Sequence, residues 1–340
     1  MPSIRQVAEH AGVSISTVSR VLNNAKVHPR TRERVLAVAN RAGYVAAVGK
    51  RVTTHIGFAY MGEPTLSHPY DSAVLAGVAR GTDEHNFDVV VVNIKRDKRS
   101  DESYTQFFVR KGVRGVILRT MEESRAACMA IADEGFPHVV VSERYDAPHV
   151  NYIDGESRPE SLRAIEYLIS LGHRRIAFGV HNVPDRDHLD RFEGYCEALA
   201  RNGLEFDERL VFRQKYNLAG GATIMSLITN MKDRPTAIYF ADPMLGVGAV
   251  KRALQMGVRI PEDLSVIGFD DTDLRHGVHP TLTAVCQDAS ALGYEAAAYL
   301  TRILNGQTKE ALRKTLPTFL EVHESTAPPP NGSNGRRAPH

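Results

Sequence analysis

The sequence predicts a small all-α helix-turn-helix headpiece joined to an α/β body of two doubly wound parallel-sheet lobes. Three observations carry this. The first 45 of 340 residues space their apolar side chains at helical period and break the pattern at a glycine. From Ile56 onward short apolar runs alternate with helical patterns, and the alternation restarts after about residue 158, so it occurs twice. The charge is also divided. Residues 1–51 hold nine Lys/Arg against Glu9 and Glu33, net +7, which leaves 33 basic against 38 acidic residues, net −5, in the remainder. A basic module on a mildly acidic body is the charge pattern of a nucleic-acid binder with an attached sensor.

In the headpiece (residues 1–45), Ser3 is placed to cap a helix over residues 4–11, with Ile4, Val7, Ala8 and Ala11 on one face. Gly12 supplies the left-handed backbone of a tight turn and Val13 fills its corner. Ser14 or Ser16 caps a second helix through Asn23, whose Val18, Val21 and Leu22 point inward. A third helix is expected from Thr31 to Ala42, with Val35, Leu36, Val38 and Ala39 inside. Residues 46–54 form a short linker.

The body, residues 55–326, begins with strands at Ile56–Tyr60, Val89–Val92, Val113–Leu118 and Val139–Val141. Helices are expected from Asp71, Asp101 and Glu123. The second half repeats the layout, with helices at residues 159–171, 190–202, 219–231 and 246–256. Strands begin there at Ile176, Leu210, Ala237 and Leu264. Two similar lobes place a ligand cleft between the carboxyl ends of their strands. The tail, residues 327–340, is rich in Pro, Gly and polar groups and is expected to be disordered. It carries no leucine heptads, so no coiled-coil tetramer is expected.

Composition bounds the function classes. At 43% apolar and 24% charged the chain is an ordinary globular protein, and no run of eighteen apolar residues offers a membrane span. The first residues lack a signal-peptide pattern, so a cytoplasmic protein is expected. Cys128, Cys196 and Cys286 are widely spaced and odd in number, and are read as reduced, partly buried thiols.

The run Ile-Arg-Gln-Val-Ala-Glu-His-Ala-Gly-Val-Ser-Ile-Ser-Thr-Val-Ser-Arg-Val-Leu-Asn at residues 4–23, with residues 27–35 and Gly43-Tyr44, resembles the DNA-binding headpiece of the lactose-repressor (LacI) family. The resemblance implies that the early part of the second helix enters the major groove and that Ile15, Ser16 and Arg20 occupy base-reading positions. Arg20 suits guanine O6 and N7, and Ile15 suits a thymine methyl. Ser14, Thr17, Ser19, Asn23 and Thr31 suit phosphate contacts, which position without specifying. Where the family usually continues Tyr-x-Pro-Asn into a hinge helix with a minor-groove leucine, this chain has Ala46-Ala47 and no leucine. It is therefore expected to bend its operator less, or to wedge with Val48 or Val52.

The body also resembles the family's sensor, which is similar to periplasmic sugar-binding proteins. The matching segments run from Tyr167 through residues 257–271 to Leu316-Pro-Thr-Phe-Leu. Carried over by position, Arg191 matches the effector-gripping arginine and Asp270 the carboxylate that binds effector hydroxyls. Asp242 stands where an asparagine is usual, Arg119 falls in a cleft-facing position, and Tyr70 could stack on a sugar face. Arginines at 119 and 191 suit an anionic effector such as a uronate or sugar phosphate. The expected partners are pseudo-palindromic double-stranded DNA, a sugar or sugar acid, and a second copy of the chain, because one headpiece offers too little surface. Effector binding would close the lobes and change headpiece spacing by a population shift. No cofactor, metal or membrane is expected.

The sequence opposes two other classes. A transporter's solute-binding protein is opposed by the basic headpiece and the missing signal peptide. A sugar-modifying enzyme is opposed by the lack of a converging nucleophile, base or metal set. Asp270 and Asp271, as strand neighbours, point to opposite faces. His181, Asp185, Asp187 and His188 match no metal spacing and are expected in a solvated loop.

Overall fold

The structure is a computed structural model that describes residues 3–22, 27–41, 53–62, 66–119, 124–182 and 185–330. Asn23, Val48 and Val52 lie outside the described residues. Ser3 caps helix α1 (Ile4–Ala11) reciprocally: its hydroxyl accepts from the Gln6 N–H, and the Gln6 side chain accepts from the Ser3 N–H. Gly12 adopts φ 60°, so its N–H reaches the Ala8 and Glu9 carbonyls and the chain turns into α2 (Ile15–Leu22). Ser14 is the residue that caps α2, accepting from the Thr17 N–H at 3.1 Å. Helix α3 (Pro29–Arg41) starts two residues before Thr31, because Pro29 tolerates a first-turn position that needs no N–H. Val7, Ala8, Ala11, Val18, Val21, Val35 and Ala39 form the small core that unites the three helices.

The first lobe contains β1 (His55–Tyr60), α4 (Pro69–Asp83), β2 (Asp88–Asn93), α5 (Ile94–Asp97), α6 (Tyr104–Arg110) and β3 (Val113–Arg119). It continues with α7 (Arg125–Asp133), β4 (His138–Val141) and β5 (Tyr152–Glu156). The second lobe contains α8 (Ser157–Ser170), β6 (Ile176–His181), α9 (Arg186–Arg201), β7 (Val211–Gln214), α10 (Leu218–Thr229), β8 (Ala237–Phe240), α11 (Pro243–Met256), β9 (Ser265–Asp270) and β10 (Thr283–Cys286). Helix α12 (Ala289–Leu304) and β11 (Arg313–Pro317) then return to the first lobe, and β12 (Phe319–Glu321) ends in the second.

Each sheet has six strands, in the orders β11-β5-β4-β3-β1-β2 and β12-β10-β9-β8-β6-β7. All neighbours pair in parallel except β12, which runs antiparallel to β10. Helices cover both faces, which is why the strands are continuous apolar runs. Alternate residues still choose different cores: Ile238 and Phe240 join one cluster, Ala237, Tyr239 and Ala241 the other.

The two similar lobes that the restarting pattern implied are present, but neither is built from one unbroken half of the chain. The chain crosses between them three times, before α8, before α12 and before β12. The returning α12 lies almost backbone to backbone on α4. A Cβ on Gly77 would fall 1.8 Å from the Ser290 carbonyl oxygen, and one on Gly293 would fall 1.9 Å from that of Val74.

The expected disorder from Ala327 does not begin there. The Ala327 N–H donates to Ser265 Oγ, its carbonyl lies 2.9 Å from His173 Nε2, and Pro329 packs over Gly172. Residues 331–340 lie outside the described part. Cys128, Cys196 and Cys286 are free thiols, Cys128 and Cys286 buried. Among the described residues no helix is long and apolar enough to cross a membrane.

Candidate functional site

Two regions carry chemistry. On α2, Val18 and Val21 take the inner positions, which leaves Ile15, Ser16 and Arg20 on the exposed side. Ile15 is 45% exposed, unusual for so apolar a side chain. Ser16 and Arg20 are four residues apart and share a face. The Ser14 hydroxyl bonds to those of Ser16 and Thr17, each at 2.8 Å, while Ser19 and Thr31 are half-buried at the margins.

The second region is a cavity of about 490 Å³ between the lobes, at the carboxyl ends of both sets of parallel strands. The first lobe contributes Tyr60 and Met61 from β1, His68 and Asp71 at the start of α4, and Arg119 from β3. Lys95, Lys98, Arg99 and Tyr104 line its rim beyond β2. The second lobe contributes His181 from β6, Asp185 and His188 at the start of α9, Tyr216 after β7, and Asp242 after β8.

Most charges in the wall are matched. Arg119 Nε donates to Asp71 Oδ1 at 2.6 Å, and its guanidinium lies 4.7 Å above the Tyr70 ring. Burial would lower the Arg119 pKa, but the charges of Asp71, Tyr70 and Asp185 outweigh it and hold the pKa high. Burial would raise Asp185, yet His188 and Arg119 keep its carboxyl far below the usual range. Ionised Asp185 accepts from His188 Nδ1 at 2.7 Å and also caps α9 through the His188 N–H. That fixes the ring and leaves His188 Nε2 in the wall, buried and without a hydrogen-bond partner. Tyr60 Oη is likewise buried and unpartnered. The Tyr216 ring stands edge-on to His68 at 4.9 Å and to His181 at 4.2 Å, making an aromatic corner.

Such a cleft, beside a basic helix-turn-helix unit, has known relatives. Residues 3–46 match the bacterial regulatory proteins of the lacI family, and residues 165–326 match the periplasmic binding protein-like domain. The HTH-type transcriptional regulator DegA of Bacillus subtilis is 30% identical over 336 residues, spanning 96% of this chain and 98% of DegA. The chain belongs to the LacI family. It is a helix-turn-helix transcriptional regulator with a two-lobed sensor. Among solved structures, the complex of the regulator CelR with cellobiose aligns with a TM-score of 0.69 at 29% identity, over 96% of this chain and all of that one. The lac repressor dimer bound to operator and the anti-inducer ONPF aligns with a TM-score of 0.69 at 25% identity, over 96% of this chain and 99% of that one.

Of the sensor residues that the LacI resemblance singled out, Arg119 and Asp242 stand in the cavity wall. Three others do not. Tyr70 is buried beneath Arg119 with its hydroxyl bonded to Ser142, so it supports the arginine instead of presenting a stacking face. Arg191 is buried, donates to the Ala241 carbonyl at 2.8 Å and lies 3.5 Å over the Phe269 ring. Asp270 spends both oxygens on its own turn, accepting from Thr272 N, Arg275 N and Arg275 Nη1. Arg191 is paired with Asp187 at 3.9 Å, and Asp271, beside Asp270, also senses it: Asp271 is bonded to Gln287 and pushed up to about 6 by burial against the opposing charge of Arg191.

The histidine–aspartate segment is corrected outright. His181, Asp187 and His188 are buried, and His181, Asp185 and His188 line the cleft, so the segment is not a solvated loop. The readable signal was Asp185 three residues before His188, the spacing of an N-cap and the residue it fixes. Tyr60, His68 and Tyr216 were also missed. His68 and Tyr216 come from loops that no periodicity marks, and Tyr60 reads as the last apolar residue of a strand.

Proposed function

We propose that this LacI-family chain acts as a homodimeric cytoplasmic repressor and not as an enzyme, its operator affinity set by a small polyhydroxylated effector held between the lobes. One observation carries the reading: Tyr60 Oη and His188 Nε2 are buried in the cavity wall with no partner, next to the carboxylates Asp185 and Asp242. With its Nδ1 held by Asp185, His188 turns Nε2 toward the cavity, and Tyr60 offers its hydroxyl. Clustered hydroxyls satisfy both, and the ring corner of Tyr216, His68 and His181 suits the C–H face of a sugar. The cellobiose held by CelR is consistent with this class.

A carboxylate or phosphate on the effector would not meet Arg119 and Arg191 as a free pair, since Asp71 and Asp187 already balance them. Its counter-charge is at the rim, where Lys98 is bonded to backbone carbonyls and Lys95 is exposed. A sugar acid would therefore lie with its acid toward the first lobe and its hydroxyls toward the second.

The test is a gel-shift titration of full-length protein on an inverted-repeat operator found by genome-wide footprinting. Neutral sugars, uronates and sugar phosphates are added in turn. One class should change the affinity and compete for the cleft. Salt-insensitive binding with no inverted-repeat preference, with or without any of them, overturns the reading.

A further inference from the structure

Outside the cleft, the described residues hold one cluster with the composition of a transition-metal site. His276 stands in the single 3-10 turn Leu274–Gly277 that follows β9, Glu321 ends β12, and His323 lies two residues beyond. A donor atom from each lies within 4.8 Å of the other two. Glu321 Oε1 and His323 Nε2 are 3.3 Å apart. Two ligands bonded at about 2.0–2.1 Å to one tetrahedral ion have nearly that separation, roughly 3.3–3.4 Å.

The surroundings fix two of the three ligands. The His323 N–H donates to Thr283 Oγ1 at 2.9 Å and its carbonyl accepts from the same hydroxyl at 3.1 Å, so the backbone is clamped to β10. The ring nitrogen Nε2 is shielded from solvent and has no hydrogen-bond partner. Glu321 is held through its other oxygen, Oε2, by Arg275 Nη2 at 2.7 Å. Arg275 is in turn anchored on Asp270 at 2.8 Å, which balances its charge and leaves Oε1 turned toward the imidazoles. Outer partners of this kind orient a ligating carboxylate. The third ligand is adjustable: the His276 ring stands at 77° to that of His323, 5.2 Å between centroids, on an exposed turn. Cys286 Sγ is near, 3.7 Å from Oε2, but is not one of the converging atoms.

We propose that His276, Glu321 and His323 bind a borderline divalent ion of the Zn²⁺ type, with the fourth position open to solvent. Two imidazoles and a carboxylate favour it over Mg²⁺ or Ca²⁺, which take oxygen ligands. The ion ties the turn between β9 and β10 to the edge strand on which the chain re-enters the second lobe. Its effect is on the stability of that lobe, independent of the effector.

The test uses the full chain without a histidine tag, stripped with a chelator, then titrated with ZnCl₂ by calorimetry and followed by thermal unfolding. One ion should bind per chain and raise the unfolding midpoint, while MgCl₂ does neither. His323→Ala and His276→Ala should each abolish both effects, and Glu321→Gln should weaken binding about tenfold or more. If His323→Ala does not fold, His276→Ala on its exposed turn decides the matter. An unchanged stoichiometry and midpoint shift in His276→Ala, or no shift in the natural chain, overturns the proposal.

Discussion

His68 on the first lobe and Asp242 on the second face each other across the cleft, Nε2 to Oδ2, at 3.4 Å. Asp242 is the rigid partner, because its Oδ1 caps α11 by accepting from the Met244 and Leu245 N–H groups. Burial would raise its carboxyl, but the bond to His68 outweighs that and holds it below the ordinary range. Burial would lower His68, but Asp242, with Asp271 and Asp71, holds it above the ordinary range. A raised imidazole contributes stability below its unfolded pKa, about 6.5, and loses it as pH rises through the folded value. The depressed carboxyl contributes above its unfolded pKa, about 3.9, and loses that contribution as pH falls. The bridge therefore has a window between mildly acidic and neutral pH. Thermal midpoints measured from pH 5 to pH 9 should fall more steeply above neutrality in the natural chain than in His68→Gln. Parallel curves would mean that the pair contributes nothing.

A second contact between the lobes has the same sign. The buried carboxyls of Asp154 on β5 and Asp187 on α9 sense each other, and both are held above the ordinary carboxylate range, so the pair keeps a proton to higher pH than free carboxyls do. Burial raises both, and the charge of Asp187 adds to it at Asp154. They prevail over Arg144, 3.2 Å from Asp154, and Arg191, 3.9 Å from Asp187, with Asp185 adding negative charge and Arg119 positive. A carboxyl raised in the native state makes stability fall as pH climbs above about 4 toward the raised value. Asp187→Asn should therefore stabilise the protein at pH 8 and gain little at pH 5. The difference is about 1.4 kcal/mol for each unit by which the pair is raised. Urea unfolding at the two pH values measures it, and an equal loss at both would contradict the retained proton.

Much of the fold was legible because it is written in local chemistry. Ser3 and Gln6 spell a capping box, Gly12 a left-handed turn, and the valine runs at 89–92 and 139–141 mark parallel strands, the first at a sheet edge and the second fully buried. What escaped depends on distant partners. Strand β5 reads Tyr-Ile-Asp-Gly-Glu, with only Ile153 committed to the core, and it is a strand because β4 and β11 flank it. Gly155 leaves room for Gln287 Oε1 from a separate crossing segment, which would lie 2.6 Å from a Cβ there. The site divided in the same way. Arg119 and Asp242 sit at strand ends, a place a parallel-sheet pattern identifies, whereas Tyr216 and His68 reach the cavity only once the lobes face each other.

Tyr60 separates binding from folding. Its hydroxyl is buried without a partner while its ring packs edge-on to Phe58 at 5.3 Å. Tyr60→Phe keeps the ring and removes a desolvated polar atom, so the fold should be unchanged or stabilised by up to about 1 kcal/mol. Effector binding loses a hydrogen bond worth about 1 kcal/mol, a roughly fivefold weaker Kd by calorimetry. A variant that loses stability instead would place the hydroxyl in the scaffold.

Gly77 tests whether the return of α12 holds the first lobe together. An alanine methyl there meets the Ser290 carbonyl oxygen at 1.8 Å, a backbone atom with no rotamer to escape through. The two helices must move apart, exposing the core shared by Val74, Val78, Leu292 and Ala296. Overpacking of this kind costs about 1–3 kcal/mol or more. Denaturant unfolding of Gly77→Ala should show that loss, whereas Gly246→Ala, whose nearest neighbour is 3.6 Å away, should cost far less.

In the headpiece, Arg20 and Ser14 should fail in different ways. Arg20 projects from the exposed side of α2, at a position that the LacI resemblance assigns to base reading. Arg20→Ala should cost about 1–3 kcal/mol on the natural operator and relax the preference at a single base pair in each half-site. Ser14 instead holds the start of α2, accepting from the Thr17 N–H and bonding to the Ser16 and Thr17 hydroxyls. Ser14→Ala should cost about 1 kcal/mol of headpiece stability and weaken binding to all sequences alike. Gel shifts against a panel of single-base operator variants distinguish the two, because only a base-reading residue changes the rank order of the panel. If Arg20→Ala lowers every affinity by the same factor, Arg20 contacts phosphate and the discrimination must come from Ile15 and Ser16.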